Sequence, residues 1–134
     1  MDNLTKEKRS WNMSRIGGKN TKPEIVVRSI LHRCGFRFRI HRKDLPGKPD
    51  IVLPKHKAVI FVHGCFWHRH EGCKFAYNPK SRLSFWHEKF ATTIERDREH
   101  VRRLNEMGWR VEVIWECELK DEEKLRERLV KFLA

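Results

Sequence analysis

An eleven-residue segment, His63–Cys73 (HGCFWHRHEGC), constrains this chain more than any other part of the sequence. It contains three histidines, two cysteines, one tryptophan and one phenylalanine. Cysteine thiolates and neutral imidazoles are the ligands that zinc prefers in proteins, and one zinc site does not need this many histidines. The sequence therefore predicts a loop that is held in place by a metal ion. The histidine and aromatic side chains that do not bind the metal are predicted to have a separate function.

A complete set of zinc ligands can be assembled around this segment. Cys65, His70 and Cys73 lie within nine residues, and Cys117 follows the last predicted strand. Three cysteines and one histidine form a closed ligand set, which is typical of structural rather than catalytic zinc. The alternative is a group of buried free cysteines beside a surface histidine. Cys34 lies on the apolar face of the first predicted helix, so we expect it to be a core residue.

The charge of the chain indicates its partners. Thirty Lys and Arg residues against eighteen Asp and Glu residues give a formal charge of +12. This basicity is typical of nucleic-acid binding, although a membrane-surface protein or a generic basic protein would have a similar charge. The sequence shows no long apolar run, no secretory signal and no basic helix with a clean apolar face. We therefore expect a cytoplasmic protein that binds nucleic acid and does not contact membranes, and there metal binding is expected to outrank disulfides.

Hydrophobic periodicity predicts the order helix, three strands, helix, strand, helix. The predicted helices span about 21–34, 81–107 and 121–133, and the predicted strands span 36–40, 50–53, 58–62 and 109–115. The buried face of the long helix is predicted to consist of Trp86, Phe90, Ile94, Val101 and Leu104. A strand, a long helix and a further strand imply a crossover connection beside a small meander. The predicted fold class is a mixed-sheet α/β domain.

The length of 134 residues fits one domain. Residues 1–20 are polar and basic, with Trp11, Met13 and Ile16 as isolated apolar points. They are either a frayed terminus or an arm that becomes ordered on DNA. We expect a DNA-contacting arm over residues 1–20 and a single domain over residues 21–134.

A second group of residues has the chemistry of phosphodiester hydrolysis. Asp50 opens a predicted strand, Glu24 lies in the first turn of the first helix, and His63 and His68 are not needed for zinc. Magnesium is often held by one or two carboxylates and keeps several waters, and hydrolysis needs an activated water. Each residue also has a simpler explanation, since Glu24 can cap its helix and Asp50 can end a turn.

Taken together, these residues resemble the very-short-patch repair (Vsr) endonuclease family. The strings that carry the resemblance are LPGKPD (45–50), VIFVHGCFWH (59–68), RDR (96–98), GWRV (108–111) and WEC (115–117), with Arg9-Ser10 and Asn12-Met13 before them. The resemblance spans about residues 9–132. It implies a restriction-endonuclease-like fold, a mixed β-sheet flanked by helices, with a structural zinc site. It also implies a magnesium-dependent nick in one DNA strand, 5′ to the thymine of a T:G mismatch left by deamination of 5-methylcytosine.

The resemblance assigns roles in catalysis to six positions. Asp50 corresponds to the central magnesium-binding carboxylate, the main-chain carbonyl of Val62 contributes to the same metal site, and Glu24 completes it. His68 is implied to be the general base or organiser of the attacking water, with Asp97 as its orienting partner. His63 is implied to lie against metal-bound waters or the scissile phosphate.

The resemblance also assigns the zinc ligands and the residues that contact DNA. The implied zinc ligands are Cys65, His70, Cys73 and Cys117. The aromatic residues implied to wedge into the base stack are Phe66, Trp67 and Trp86, and Met13 is implied to enter from the opposite groove. Trp86 has an alternative role in core packing, because it continues the apolar stripe of its helix.

This sequence departs from the family pattern at two places. Glu71-Gly72 makes the loop between His70 and Cys73 one residue longer than the family pattern, so the histidine ligand is His70 or His68. The acidic-x-Lys half of the restriction-nuclease signature is absent after Asp50. In this family histidine does the work of that lysine.

The implied partners are double-stranded DNA with a T:G mismatch, a DNA polymerase and ligase that act after the nick, and mismatch-repair proteins. A single-strand nick needs one active site, so we expect a monomer, associated with the nucleoid of a bacterial cell. Two alternatives remain: another restriction-like nuclease that also cuts matched or branched DNA, and a non-catalytic zinc-stabilised DNA-binding module. The binding module would leave Asp50, His63 and His68 without a function.

Overall fold

The computed structural model describes residues 21–134, and its first helix begins as the sequence predicts. Helix α1 spans Lys22–Arg33. A capping box fixes its start: the Thr21 amide donates to Glu24 Oε2 at 2.9 Å, and the Glu24 amide donates to Thr21 Oγ1 at 3.4 Å. Gly35 follows the helix with a φ of +84°, the left-handed conformation that commonly ends helices.

In the described part of the chain the sheet has three strands, in the order β1-β2-β3. Strand β1 spans Ile51–Leu53, β2 spans Ala58–His63 and β3 spans Arg110–Trp115. Strands β1 and β2 are antiparallel, whereas β2 and β3 are parallel. The sheet is therefore mixed, as predicted.

The strand predicted over residues 36–40 does not form. Only Arg39 pairs with the sheet, through two backbone hydrogen bonds to Val52 of 2.7 and 2.9 Å. Two features stop the ladder from growing. Strand β1 offers only three residues, and His41, two residues after the bridge, adopts a left-handed φ of 59°. Over residues 21–134 the observed order is therefore helix, two strands, helix, strand, helix.

Helix α2, Leu83–Glu106, connects β2 to β3 and packs against β3. Of its predicted buried face, Phe90 and Leu104 are buried, while Trp86, Ile94 and Val101 are half-buried. A short 3-10 helix, Glu116–Lys120, then leads to helix α3, Glu122–Leu133. None of the helices in residues 21–134 is long and apolar enough to cross a membrane.

Strand β2 is buried on both faces, which explains its unbroken apolar sequence. Ala58 and Ile60 belong to a core cluster shared with α1 and α3, and Val59 and Phe61 belong to a second cluster with Leu104 of α2. The strand is held from both sides up to its last residues. The packed end of β2 therefore fixes the position at which the His63–Cys73 segment begins.

Candidate active site and metal centre

Two acidic side chains meet where α1 passes the sheet. Glu24 is buried, and Asp50 precedes β1 and accepts a hydrogen bond of 2.7 Å from the Val62 amide. Burial, and secondly hydrogen bonding to Glu24, raise the pKa of Asp50 to about 8 against the opposing effects of the Val62 amide and the Arg28 charge. Two carboxyl groups so close together need a shared proton or a cation. Their oxygens are ligands of the kind that magnesium prefers.

A cavity of about 190 Å³ lies beside these carboxylates. Its lining consists of Glu24, Arg28, His41, Arg42, Lys43, Lys48, Pro49 and Asp50. Carboxylates inside a basic lining match a phosphodiester held together with a divalent cation, because the phosphate oxygens contact both the cation and the basic side chains. The arrangement fits the substrate class that the charge of the chain predicts.

The two histidines that zinc does not need are stacked on each other. The rings of His63 and His68 lie face to face, with centroids 3.8 Å apart and planes 5° from parallel. His68 Nδ1 lies 2.8 Å from Asp97 Oδ2 on α2. This contact holds the imidazole in one orientation and leaves its Nε2 available to another partner. His68 therefore has the geometry of a general base with an orienting carboxylate.

His63 is held in a different electrostatic environment. It is buried, and within residues 21–134 its Nδ1 has no hydrogen-bond partner. Burial, and secondly the positive charge of a protonated His68, lower the pKa of His63 to about 4. The two stacked rings thus differ: His63 is neutral at physiological pH, and His68 faces a carboxylate.

His63, His68 and Asp97 offer ligand atoms that lie within 4.8 Å of one another, a spacing that suits a metal ion. The stacking argues against shared coordination by the two rings. A nitrogen lone pair lies in the plane of its imidazole, so two parallel rings cannot both direct their lone pairs at one ion. This group is better suited to moving a proton than to holding a metal.

A second cluster has the geometry of a metal centre. Ligand atoms of Cys65, His70, Cys73 and Cys117 lie within 4.8 Å of one another. His70 Nδ1 is 3.7 Å from the Cys65 sulfur and 3.3 Å from the Cys117 sulfur. In a tetrahedral zinc site with ordinary bond lengths, sulfur and nitrogen ligands are about 3.5 Å apart. The four residues can therefore hold a metal ion, and the cluster contains His70 rather than His68.

Strand pairing explains why a remote cysteine joins this cluster. His63 and Trp115 are paired in the parallel register of β2 and β3, so the two strands end side by side. Cys65 and Cys117 each follow two residues later. The Cys65 amide donates to Glu116 Oε1 at 3.1 Å, which joins the two chain segments just beyond the sheet.

The predicted DNA-contacting aromatic residues gather in one surface cluster. Trp67 is 51% exposed, and Phe66 lies 5.2 Å from it and 5.6 Å from Trp86 between ring centroids. Trp86 also stacks on Phe90 at 5.5 Å. Within residues 21–134, Trp86 belongs to this cluster and to neither core cluster, so its half-buried ring packs among the surface aromatic residues. The whole aromatic cluster comprises Phe66, Trp67, Tyr77, Phe85, Trp86 and Phe90.

Sequence reasoning missed several of these contacts. Tyr77 and Phe85 extend the aromatic cluster and are exposed. The sequence feature that could have indicated their role is that Tyr77 lies close to the predicted zinc loop and Phe85 lies next to Trp86. Gly47 lies against the ring of His100 on α2, and no local pattern indicates that contact. Met13 lies outside the described residues.

Comparison with solved structures shows the fold. The catalytic domain of the homing endonuclease I-Bth0305I superimposes with a TM-score of 0.59 at 23% sequence identity, over 84% of this chain and 94% of that domain. This similarity confirms the predicted endonuclease fold class, a mixed sheet with flanking helices.

Proteins found by sequence comparison are more similar to this chain than that solved structure is. The family described as DNA mismatch endonuclease Vsr matches residues 1–74. The type II nicking enzyme V.XorIIP of Xanthomonas oryzae pv. oryzae is 51% identical over 132 residues, which cover 98% of this chain and 96% of that protein. The DNA mismatch endonuclease Vsr of Escherichia coli is 45% identical over 120 residues, or 90% of this chain and 76% of that protein. Identity of this extent, with a matching family profile, shows that the chain is a DNA endonuclease and belongs to the DNA mismatch endonuclease Vsr family.

Proposed function

We propose that this endonuclease nicks one strand of duplex DNA 5′ to the thymine of a T:G mismatch, by magnesium-dependent hydrolysis. One observation carries the proposal. Phe66, Trp67 and His68 are consecutive, so a half-buried phenylalanine, an exposed tryptophan and the candidate base lie on one loop. A nuclease built this way couples the opening of the base stack to the position of the cut.

The acidic pair is proposed to hold the magnesium ion. Asp50 and Glu24, with the main chain of Val62, would bind the cation, which neutralises phosphate charge and lowers the pKa of a bound water. The basic residues around Asp50 would hold the DNA backbone. The Val62 amide keeps the Asp50 carboxylate in one orientation through the 2.7 Å hydrogen bond.

Proton transfer is assigned to the histidine pair. His68 would take the proton of the attacking water at Nε2, while Asp97 keeps Nδ1 protonated and stabilises the imidazolium that results. His63 would lie against the waters or the scissile phosphate as a neutral ring. Its lowered pKa supports this role, because a second positive charge would oppose protonation of His68.

The Cys65, His70, Cys73 and Cys117 cluster is proposed to bind a structural zinc ion. Burial raises the pKa of the Cys65 thiol to about 12, so its thiolate requires a nearby cation. A closed site of four protein ligands leaves no position for a substrate. The ion would stiffen the loop on which Trp67 and His68 stand.

Mismatch recognition is assigned to aromatic wedging. Phe66, Trp67 and Trp86 would enter the stack beside the mismatch, with Met13 from the opposite groove. A T:G mismatch weakens local stacking, so opening that step costs less than opening a matched one. Stacking on an aromatic side chain contributes about 1–3 kcal/mol per base, which offsets much of the opening cost.

The proposed organisation is an arm over residues 1–20 that contacts DNA and one endonuclease domain over residues 21–134. The protein would act as a monomer in the bacterial cytoplasm, associated with the nucleoid. A polymerase and a ligase would complete the repair, and mismatch-repair proteins are candidate partners.

The test uses end-labelled duplexes, one fully paired and one with a T:G mismatch in several sequence contexts. We expect a nick only in the thymine strand, 5′ to the mismatched base, and only with magnesium. Asp50→Asn should abolish cutting and retain DNA binding, because it keeps the acceptor for the Val62 amide while losing the charge. Glu127→Gln, at an exposed carboxylate of α3 outside this cavity, serves as the control.

Two other outcomes would contradict the proposal. Equal cutting of both duplexes would indicate another nuclease of this fold. Binding without cutting in every context tested would indicate a non-catalytic module.

A further inference from the structure

Arg69 stands in an unusual place and conformation. It separates the candidate base His68 from the metal-site residue His70, and its φ is 55°. A left-handed conformation is unfavourable for a non-glycine residue, and glycine would avoid that cost. Glycine would, however, lack the contacts that the arginine side chain makes.

The guanidinium of Arg69 joins three parts of the chain. Its Nη1 donates to the Tyr77 carbonyl at 3.0 Å and, more weakly, to the Phe66 carbonyl at 3.4 Å. Its Nη2 donates to Asn78 Oδ1 at 3.0 Å. The same group lies 4.0 Å from the ring centroid of Phe90 on α2, within the range of a cation–π contact. One side chain thus connects the zinc loop, the loop after it and the long helix.

We propose that Arg69 is a positioning residue for mismatch recognition: it braces the Phe66–Trp67 tip of the aromatic cluster in the orientation that enters the base stack. This inference rests on the proposed function. The metal cluster fixes the loop through Cys65 and His70, which flank the tip. Arg69 fixes the tip itself, by the Phe66 carbonyl and by the ring of Phe90 beneath it.

The energetic reason is preorganisation. Trp67 is half exposed, and its ring neighbours are Phe66 at 5.2 Å and Trp86 at 5.8 Å. A side chain that swings freely must lose that freedom when it enters DNA, and the loss reduces the affinity for the open step. A tip that is already held in place has lost this conformational freedom before it meets DNA. The benefit appears only where the stack opens, so it increases discrimination more than general affinity.

An arginine beside an active site also suggests a direct phosphate contact, and the geometry favours the brace. The planar guanidinium of Arg69 donates its hydrogen bonds to two main-chain carbonyls and one side-chain amide, and its face lies on the ring of Phe90. Lysine carries the same charge but lacks the fork and the flat face. Arg69→Lys therefore separates the two roles.

The test compares Arg69→Ala, Arg69→Lys and Arg69→Gly with the full-length wild-type protein. The glycine variant removes the side chain without backbone strain, so it is the matched control for the left-handed conformation. Two readouts are measured: the ratio of kcat/KM on T:G and paired duplexes, and hydrogen exchange of the 64–70 segment without DNA. Metal content and the salt dependence of binding are followed in parallel.

We expect all three variants to keep their metal and their salt slope, to exchange faster over 64–70, and to lose about tenfold in selectivity, equivalent to about 1.4 kcal/mol. The loss should lie in kcat/KM on the mismatched duplex, with kcat at saturation changed less. Wild-type selectivity in Arg69→Lys, together with a reduced salt slope in Arg69→Ala, would overturn the brace in favour of a phosphate contact.

Failure of the proposed function gives a different result. A wild-type protein that cuts both duplexes equally would refute T:G recognition, and with it the role of Arg69 in selectivity. Hydrogen exchange would then still report whether Arg69 holds the tip. Unchanged exchange in all three variants would refute the brace itself.

Discussion

His68 is placed by two neighbours of different chemistry. The ring of His63 covers one of its faces at 3.8 Å, and the Asp97 carboxylate contacts its Nδ1 at 2.8 Å. The first contact restricts the tilt of the ring, and the second restricts its rotation and its tautomer. A ring with both restrictions can receive a proton without further rearrangement, which is a large part of general base catalysis.

Removal of this ring should affect chemistry and spare binding. We expect His68→Ala to lower kcat on the mismatched duplex by about 10²–10⁴-fold, the range typical of a lost general base. The Kd for that duplex should stay within about twofold, as measured by fluorescence anisotropy. His32→Ala, at an exposed histidine of α1, is the control. A rate close to wild type in His68→Ala would contradict the general-base role.

Residues that break a local pattern were predictable from sequence, and residues that act through distant contacts were not. Asp50 stands out because it directly precedes an apolar strand, and His63 and His68 stand out because they lie at the end of the next apolar strand and in the loop after it. Arg69 looked like one more surface charge, since its partners are supplied by the loop at residues 77–78 and by Phe90. No spacing within the sequence encodes those contacts.

At the scale of elements, the pairing of β2 with β3 organises both candidate centres. A continuous apolar run predicted β2, and an alternating pattern with Val111, Val113 and Trp115 on one side predicted β3. The common end of the two strands brings Cys65 to Cys117. The strand predicted from the alternation at residues 36–40 was wrong. Alternation indicates that a segment is half-buried, but it does not show whether an adjacent strand is long enough to pair with it. Strand β1 is only three residues long, and that limit was not visible.

The four-ligand cluster should behave as one structural unit. We expect the wild-type protein to bind a metal ion here, and Cys117→Ala to lose it and to lower the thermal unfolding midpoint by about 10 °C, or about 3 kcal/mol for a chain of this size. Cys34→Ala should keep the metal, because Cys34 caps α1 away from the cluster. Elemental analysis and calorimetry measure both effects. Wild-type metal content and stability in Cys117→Ala would contradict the site.

The turn before Asp50 depends on a close contact with α2. Gly47 has a φ of +75°, and a Cβ there would lie 2.8 Å from the Cγ of His100. We expect Gly47→Ala to destabilise the protein by about 2–4 kcal/mol, from backbone strain and overpacking together, and to slow nicking by displacing Asp50.

Gly35→Ala is the matched control for this change. Gly35 has a φ of +84° with no heavy atom within 4 Å of its added Cβ, so only the strain remains. Urea unfolding measures both variants. Equal losses of stability would mean that packing against His100 contributes nothing.

For the whole molecule, the formal charge of +12 should control DNA affinity. Each phosphate neutralised contributes a slope of about −0.9 to log K against log salt, so contact with about six phosphates lowers affinity about 10³-fold between about 50 and 200 mM salt. Lys43→Ala, beside Asp50, should reduce the slope by about 0.9, and Lys131→Ala, in the last turn of α3, should leave it unchanged. Identical slopes in the two variants would remove Lys43 from the DNA interface.

The exposed aromatic cluster also affects how the protein behaves in the test tube. Trp67, Tyr77 and Phe85 present apolar surface to water, and such surfaces tend to associate. Repulsion between highly charged copies opposes that association, and salt screens the repulsion. High salt, which strips nucleic acid from a basic protein, therefore also favours self-association of this one. Under the proposed mode of binding, duplex DNA would cover the aromatic surface, so at low salt, where the complex persists, added DNA should reduce the self-association of the protein.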